Sequence, residues 1–460
     1  MSKSATNYQI ARAPLAAGQD LTQICRHFAA EPWCQLLDSA APGHPHHRWQ
    51  ILVRQPSAWL QSTNGQHQLW RDGQLQSLSG DLLPLLASLQ PATPQPPHPL
   101  LPFVGGLIGL WGYDLARQFE HLPSQHEADL PLPDLAMAYY PQALLLDLAQ
   151  QQLYTGAPTA AKAEQGLNEA LALLKQPAPP AQPFKLTSHW QSNLSRSQYL
   201  ERFAQVQQHL QAGDCYQINL AQRFSARYQG DEWQAYLRLR QANGAPFGAY
   251  LRLDSGSVLC FSPERFLHIE QGTITTRPIK GTRPRVQDPA QEQEVMAELA
   301  ASTKERAENV MIVDLLRNDL GKVAAPGSVQ VPELFAVERY PYVYHLVSTV
   351  SAKLAAGKGA LDALRACFPG GSITGAPKLR AMSIIDALEP HRRNLYCGSI
   401  LYLSNCGRMD SNIVIRTALC CDSQIHVAGG GGLVVDSNGA WEYQETLDKL
   451  ARILPLLSDS

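Results

Sequence analysis

The chain has 460 residues, 45% of them apolar and 17% charged, with a formal net charge of −2. This composition can bury a large core and excludes global disorder. The near-neutral balance argues against a general nucleic-acid binder, which needs a basic field to neutralise phosphates.

The most apolar stretch, Leu100 to Trp111, contains Pro102 and three glycines. It is shorter than the ~20 residues a membrane helix needs. No membrane association is therefore expected, and Met1 to Leu15 has no apolar leader segment. Nine scattered cysteines include no CxxC pair. That pattern predicts reduced thiols in a cytoplasmic protein and no zinc knuckle.

In chain order, proline-rich stretches at Pro91 to Pro102 and Gln176 to Pro183 read as linkers or edge crossings. They suggest an N-terminal region, 1–180, and a motif-dense region, 181–460. A helix is predicted from Ser195 to about Gly213, with Ser197 able to cap it. Strand-like runs follow at Tyr216 to Arg223, Phe247 to Leu253, Ser257 to Phe261, Phe266 to Glu270 and Thr273 to Ile279. One long helix is expected from about Pro289 to Asn318. Further strands are expected at Val343 to Leu354, Ser399 to Leu403, Ile413 to Cys420, Ile425 to Val427 and Leu433 to Val435. An amphipathic helix closes the pattern from about Ala440 to Leu457. Many strands and few helices, not in strict alternation, predict an α+β sandwich of two antiparallel-rich sheets with helices outside.

Several residues can carry chemistry. Glu305 and Glu308 are three apart on the long helix, as are Glu442 and Glu445 on the last. Each pair shares a face. Two such faces can build an all-oxygen site for a hard cation such as Mg²⁺. Each pair also has a plainer explanation: Ser302 to Glu305 matches a capping box, and Glu442 and Glu445 suit a helix N-terminus. Phe368 to Lys378 is a glycine-rich loop leading into a helix with Pro377 near its first position, a place where backbone N–H groups bind anions. Gly429 to Gly432 reads either as a flexible hairpin or as bare backbone approaching a carboxylate. Lys280 sits among Arg277, Arg283 and Arg285. It is a nucleophile only if burial or neighbouring cations lower its pKa. His345 on a strand and Glu264 in a turn are, taken singly, more often structural than catalytic.

Taken together the motifs are specific. Ser262-Pro-Glu-Arg-Phe266, Arg277-Pro-Ile-Lys-Gly-Thr282, the run Glu308 to Leu320, Pro369 to Lys378 and Glu442-Tyr-Gln-Glu-Thr446 resemble the chorismate-utilising enzymes. That family includes anthranilate, aminodeoxychorismate, isochorismate and salicylate synthases. The resemblance implies that Glu308, Glu442 and Glu445 hold Mg²⁺, with Glu305 alongside, and that the metal holds the ring carboxylate of chorismate. It implies that Tyr402, Arg416 and the backbone of Gly430, Gly431 and Gly432 hold the pyruvyl carboxylate, with Lys378 and Thr374 completing the anion pocket. His345 would sit near the ring carboxylate, and Glu264 would act as general acid and base at C4.

Two positions separate the branches. Anthranilate synthases resemble this stretch but have alanine where Lys280 stands; lysine marks the branch that aminates C4. Isochorismate and salicylate synthases carry a lysine at Gln217 to activate water, and glutamine cannot be a general base. No cysteine lies in a Gly-x-Cys-x-Gly elbow, so the resemblance implies that ammonia comes from a separate glutamine amidotransferase subunit. Leu36 to Ser39 resembles the segment that holds tryptophan in anthranilate synthases. The competing expectations are anthranilate synthesis and a non-catalytic docking subunit.

Overall fold

The structure is a computed structural model that describes residues 8–286, 288–340 and 343–458. Two large sheets form, every pairing in them antiparallel; their central strands, such as Gly106–Trp111 and Gly256–Ser262, are buried on both faces. The first, of 13 strands, runs in spatial order Gln9–Pro14, Gln152–Ala157, Ala143–Asp147, Trp49–Val53, Gln35–Asp38, Phe247–Leu253, Gly256–Ser262, Thr417–Cys421, Gln424–Leu433 and Gln217–Gln229, with short strands at the far edge. The second, of 12 strands, starts at Ile279–Pro284 and passes through Val343–Lys353, Arg265–Glu270 and Ser399–Ser404. It then crosses to Gly106–Trp111 and ends on the Ala58–Thr63 meander.

Residues 1–180 and 181–460 both contribute to each sheet. Gln35–Asp38 pairs with Phe247–Leu253, and Gly106–Trp111 pairs with Ser399–Ser404. Between the sheets, Ile51, Leu145, Leu251 and Val258 of the first meet Ile108, Leu110 and Ala136 of the second. The outer face of each sheet is covered by helices: Ala160–Leu173 and Glu232–Asn243 on the first, Thr303–Gly321 and Ala360–Cys367 on the second. The expected α+β sandwich is the observed architecture. Among the described residues, no helix is long and apolar enough to cross a membrane, and all nine cysteines are free.

Some elements differ from expectation, each for a local reason. The helix expected from Ser195 spans Arg196–Gln211. Its cap is Ser195 rather than Ser197, through a reciprocal box with Gln198. The single long helix is two, Pro289–Ala301 and Thr303–Gly321, because Ser302 turns extended at ψ 111°. Ser302 makes no side-chain cap, so the capping box expected there is not formed. Of the strand expected at Ile413 to Cys420, only the part from Thr417 is strand, Thr417–Cys421 of the first sheet; Met409–Asn412, just before it, belongs to the second. Between them the chain crosses from one sheet to the other, with Arg416 at φ 54°. The last helix stops at Asp448 and resumes as Leu454–Ser458.

The largest difference is Gly429–Gly432. It is not a hairpin but the interior of one strand, Gln424–Leu433, paired with Gln217–Gln229. Its glycines are required by close neighbours. A Cβ on Gly429 would lie 2.8 Å from the Thr446 carbonyl, and one on Gly430 would lie 2.8 Å from Ala221 Cβ.

Candidate active site

Three pieces of backbone converge at one end of the sandwich. The strand Gln424–Leu433 carries the glycine run, and the helix Gly439–Asp448 lies over it. Because Gly431 has no side chain, Glu442 and Glu445 can reach down to the strand: a Cβ there would sit 3.1 Å from Glu442 Oε2 and 3.8 Å from Glu445 Oε1. Asn438 caps this helix by accepting from the N–H groups of Ala440 and Trp441. The helix Thr303–Gly321 brings Glu308 within electrostatic reach of Lys280.

Lys280 stands among these carboxylates. Burial lowers its pKa, opposed by Glu308, Glu264 and Glu445 and assisted by Lys449. Glu264 is pushed the other way: burial raises its pKa, against Lys280, the hydroxyl of Ser372 and the more distant Lys449 and Arg416. Ser372 Oγ donates to Glu264 Oε1 at 3.1 Å. In each member of the pair, burial shifts the balance toward the neutral form.

Glu442 accepts from Ser437 Oγ at 2.7 Å. Its pKa is raised by burial and by the nearby Glu445 charge, and lowered by that hydroxyl. Glu445 pairs with Lys449 at 2.6 Å, and Lys449 also donates to the Gly430 carbonyl at 2.8 Å. Glu308 has no hydrogen-bond or ion-pair partner among the described residues. The donors suit a hard divalent cation in type, and two crowded carboxylates gain from one. Among the described residues, however, no three acidic, histidine or cysteine side chains converge closely enough to form a ready-made metal cluster.

Arg416 is largely buried with no acid paired to it among the described residues. Burial opposes its charge, and Tyr396, Glu264 and Glu445 are its electrostatic neighbours. A buried guanidinium without a counter-ion is a seat for an anion. Gln217 is fully buried, and neither its amide nitrogen nor its amide oxygen has a partner. Its side chain lies 3.0 Å from where a Gly432 Cβ would be, so the bare strand leaves room for the amide. His345 sits at the edge of this group. Its Nδ1 is 2.9 Å from Thr282 Oγ1, its ring meets Tyr340 edge-on at 5.0 Å, and burial lowers its pKa.

Four expected site residues are placed elsewhere or engaged. Glu305 is tied to Arg283 at 3.0 Å and packs under Gly281, the residue after Lys280. Lys378 turns inward to Asp319 at 2.5 Å and the Cys367 carbonyl at 2.7 Å. It neutralises a buried aspartate rather than facing an anion pocket. Thr374 donates to the Gly370 carbonyl at 2.9 Å and shapes its own loop. Tyr402 packs edge-on against Phe103 at 5.9 Å and lines a separate cavity of about 230 Å³ with Leu37, Asp38, Ser39 and Arg265. The tyrosine beside Arg416 is Tyr396, six residues earlier.

Sequence reasoning missed Tyr396, Lys449 and Ser372. Lys449 was findable: it stands four residues after Glu445 on one helix face.

The cavity at Tyr402 includes the Leu36–Ser39 segment expected to hold tryptophan. Asp38 has no free acceptor there. Gln50 donates to it at 2.8 Å, Tyr236 at 2.8 Å and Arg240 at 2.5 and 3.3 Å.

The family model described as "chorismate binding enzyme" matches residues 34–455. The chain belongs to that family. It is 54% identical to aminodeoxychorismate synthase component 1 of Klebsiella aerogenes over 93% of this chain and 94% of that one. It is 51% identical to the protein of the same name from Escherichia coli K12, over 95% and 98%. Anthranilate synthase component 1 of Thermus thermophilus is 41% identical over 78% of each chain. Among solved structures, anthranilate synthase component I of Streptococcus pneumoniae superposes with a TM-score of 0.78 at 31% identity, covering 88% of this chain and 92% of that one. The isochorismate synthase MenF of Escherichia coli shares the fold, with a TM-score of 0.70 at 17% identity and coverage of 98% and 95%.

Proposed function

We propose that this enzyme aminates chorismate at C4 to give 4-amino-4-deoxychorismate for 4-aminobenzoate and folate synthesis, with Lys280 as nucleophile. The observation that carries the proposal is the Lys280–Glu264 pair: an amine depressed by burial beside a carboxyl raised by burial. The relatives named aminodeoxychorismate synthase component 1 support the same conclusion.

The step divides into two displacements. The free Lys280 amine attacks C2 of the ring; the double bonds shift, the C4–O bond breaks, and Glu264 gives its proton to the departing oxygen. Ammonia then attacks C4, the electrons return, and the C2–N bond to Lys280 breaks. Glu264, now a carboxylate, takes a proton from the new ammonium. Covalent catalysis replaces one hard exchange at C4 by two allylic ones.

Arg416, Gln217 and the backbone of Gly430, Gly431 and Gly432 would hold the pyruvyl carboxylate. Glu308, Glu442 and Glu445 would hold Mg²⁺, which when bound would neutralise the ring carboxylate and draw charge from the ring. His345 would border the ring carboxylate. Ammonia would come from a glutamine amidotransferase partner, consistent with relatives named component 1.

The test mixes the purified chain with chorismate, Mg²⁺ and ammonium near pH 8.5 and follows products by chromatography and mass. A 4-amino product that a separate lyase converts to 4-aminobenzoate is expected. Anthranilate with pyruvate, or isochorismate, would assign the chain to a sister reaction.

A further inference from the structure

The glycine-rich loop from Phe368 to Lys378 has both its candidate anion ligands, Lys378 and Thr374, engaged elsewhere. What it presents to the site is Ser372. The loop is held from several sides. A Cβ on Gly370 would lie 2.8 Å from Ile413 Cδ1, and one on Gly371 would collide with Leu315, so bare backbone is needed for the loop to lie this close. Thr374 Oγ1 donates to the carbonyls of Gly370 and Gly371 at 2.9 and 3.3 Å. Arg393, buried and paired with Glu389, donates to the Ile373 carbonyl at 2.9 Å. The Asn219 N–H donates to the Thr374 carbonyl at 2.8 Å.

Glu264 is fixed from the other side. Its N–H donates to Ser262 Oγ at 3.2 Å, and its carbonyl accepts from the Ile413 N–H at 3.0 Å. The hydrogen bond from Ser372 Oγ to Glu264 Oε1, 3.1 Å long, joins the two frames. Around that bond the space is closed. Glu264 and Ser372 line a cavity of about 10 Å³ whose other walls include Phe266, Ile312, Leu316 and Ile413. It has room for one water at most and none for a ring. Among the described residues, Ser372 Oγ makes no second hydrogen bond and Glu264 Oε2 makes none.

A neutral carboxyl has one hydroxyl oxygen and one carbonyl oxygen. If Oε1 carried the proton, Ser372 would have to accept it, and its own O–H would be left without a partner against apolar side chains. With the proton on Oε2, Ser372 donates to Oε1 in the acid and, with charge assistance, in the carboxylate. The hydrogen bond then persists when the proton leaves. We propose that Ser372 is a positioning residue for the amination: it confines the Glu264 proton to Oε2, so that one oxygen protonates the departing C4 oxygen and the same oxygen later takes a proton from the new ammonium. The inference rests on the reaction proposed above. It gives the glycine-rich loop a part in proton transfer instead of anion binding.

Ser372→Ala removes the donor, and Ser372→Thr keeps it. With chorismate, Mg²⁺ and ammonium, Ser372→Ala should lower kcat roughly ten- to thirtyfold while KM for chorismate stays constant, and Ser372→Thr should stay within about threefold of the unsubstituted chain. The alanine change placed on Glu264→Gln should cost less than about twofold more, because no proton remains for Ser372 to place. A residue that only supports the fold would cost the same in both backgrounds. An unchanged kcat in Ser372→Ala, a rise in the chorismate KM, a loss that threonine shares, or a full further loss on top of Glu264→Gln would each overturn the proposal. Failure of the unsubstituted chain to form any 4-amino product would instead count against amination itself.

Discussion

Lys280 is the main counter-charge of Glu264, and Lys280 itself answers first to Glu308 and then to Glu264, yet burial moves both Lys280 and Glu264 toward neutrality against that attraction. Both shifts run in the direction that attack at C2 with departure of oxygen at C4 requires, toward a proton on the acid and none on the amine.

Lys280→Ala should lower C4 amination by roughly a thousandfold. Chorismate binding should change little, because Arg416, Gln217 and the glycine strand remain. Product analysis by mass separates the outcomes: amination at the unsubstituted rate would remove the covalent step.

The pH dependence of Lys280 has a definite sign. An amine reacts only as the free base, so labelling by trinitrobenzenesulfonate should rise with pH around a midpoint below the ordinary lysine value of 10.5. Glu308 and Glu264 each raise that pKa. Glu308→Gln and Glu264→Gln should each move the midpoint to lower pH, read by peptide mapping of the label. A midpoint that rises in either variant would contradict the placement of that carboxylate.

Gly431→Ala places a methyl 3.1 Å from Glu442 Oε2. The contact is with the far end of a side chain, so the fold should tolerate it with a Tm change of a few degrees. Glu442 must move, and the Mg²⁺ concentration for half-maximal activity should rise about tenfold. An unchanged Mg²⁺ requirement would take Glu442 out of any metal site.

Asp38→Ala should destabilise the fold by about 3–5 kcal/mol. It leaves the Arg240 guanidinium and the Gln50 and Tyr236 donors facing an empty acceptor position. Urea denaturation checks this. A loss under 1 kcal/mol would mean that Arg240 redirects wholly to Asp20.

Much of the site was legible in the sequence, because the order of the motifs is rarer than any single motif. Glu264, Lys280, Glu308, Glu442 and Arg416 do come together. Tyr402 and Lys378 fail for a shared reason: each stands in a motif, but neighbours in space decide where a side chain turns. Asp319, 59 residues before Lys378, claims its ammonium. The strand pairing that sets Tyr402 opposite Ile108 commits its ring to the other cavity. Of the two readings of the glycine run, the hairpin does not hold: four bare residues signal a turn locally, but they lie inside one strand. Only the helix packed above the strand explains why side chains are absent. The break at Ser302 left no mark in the apolar periodicity.

The pairing of Gln217–Gln229 with Gln424–Leu433 also bears on synthesis of the protein. Lys280 emerges from the ribosome well before the strand and helix that complete its surroundings. At ≈ 5–20 residues per second the interval lasts on the order of ten seconds or more. During that time an edge of Gln217–Gln229 lacks its partner and is open to pairing with another nascent chain. Slow non-local closure of this kind predicts a dependence on chaperones while the chain is being made, and it couples the appearance of activity to the final tenth of translation.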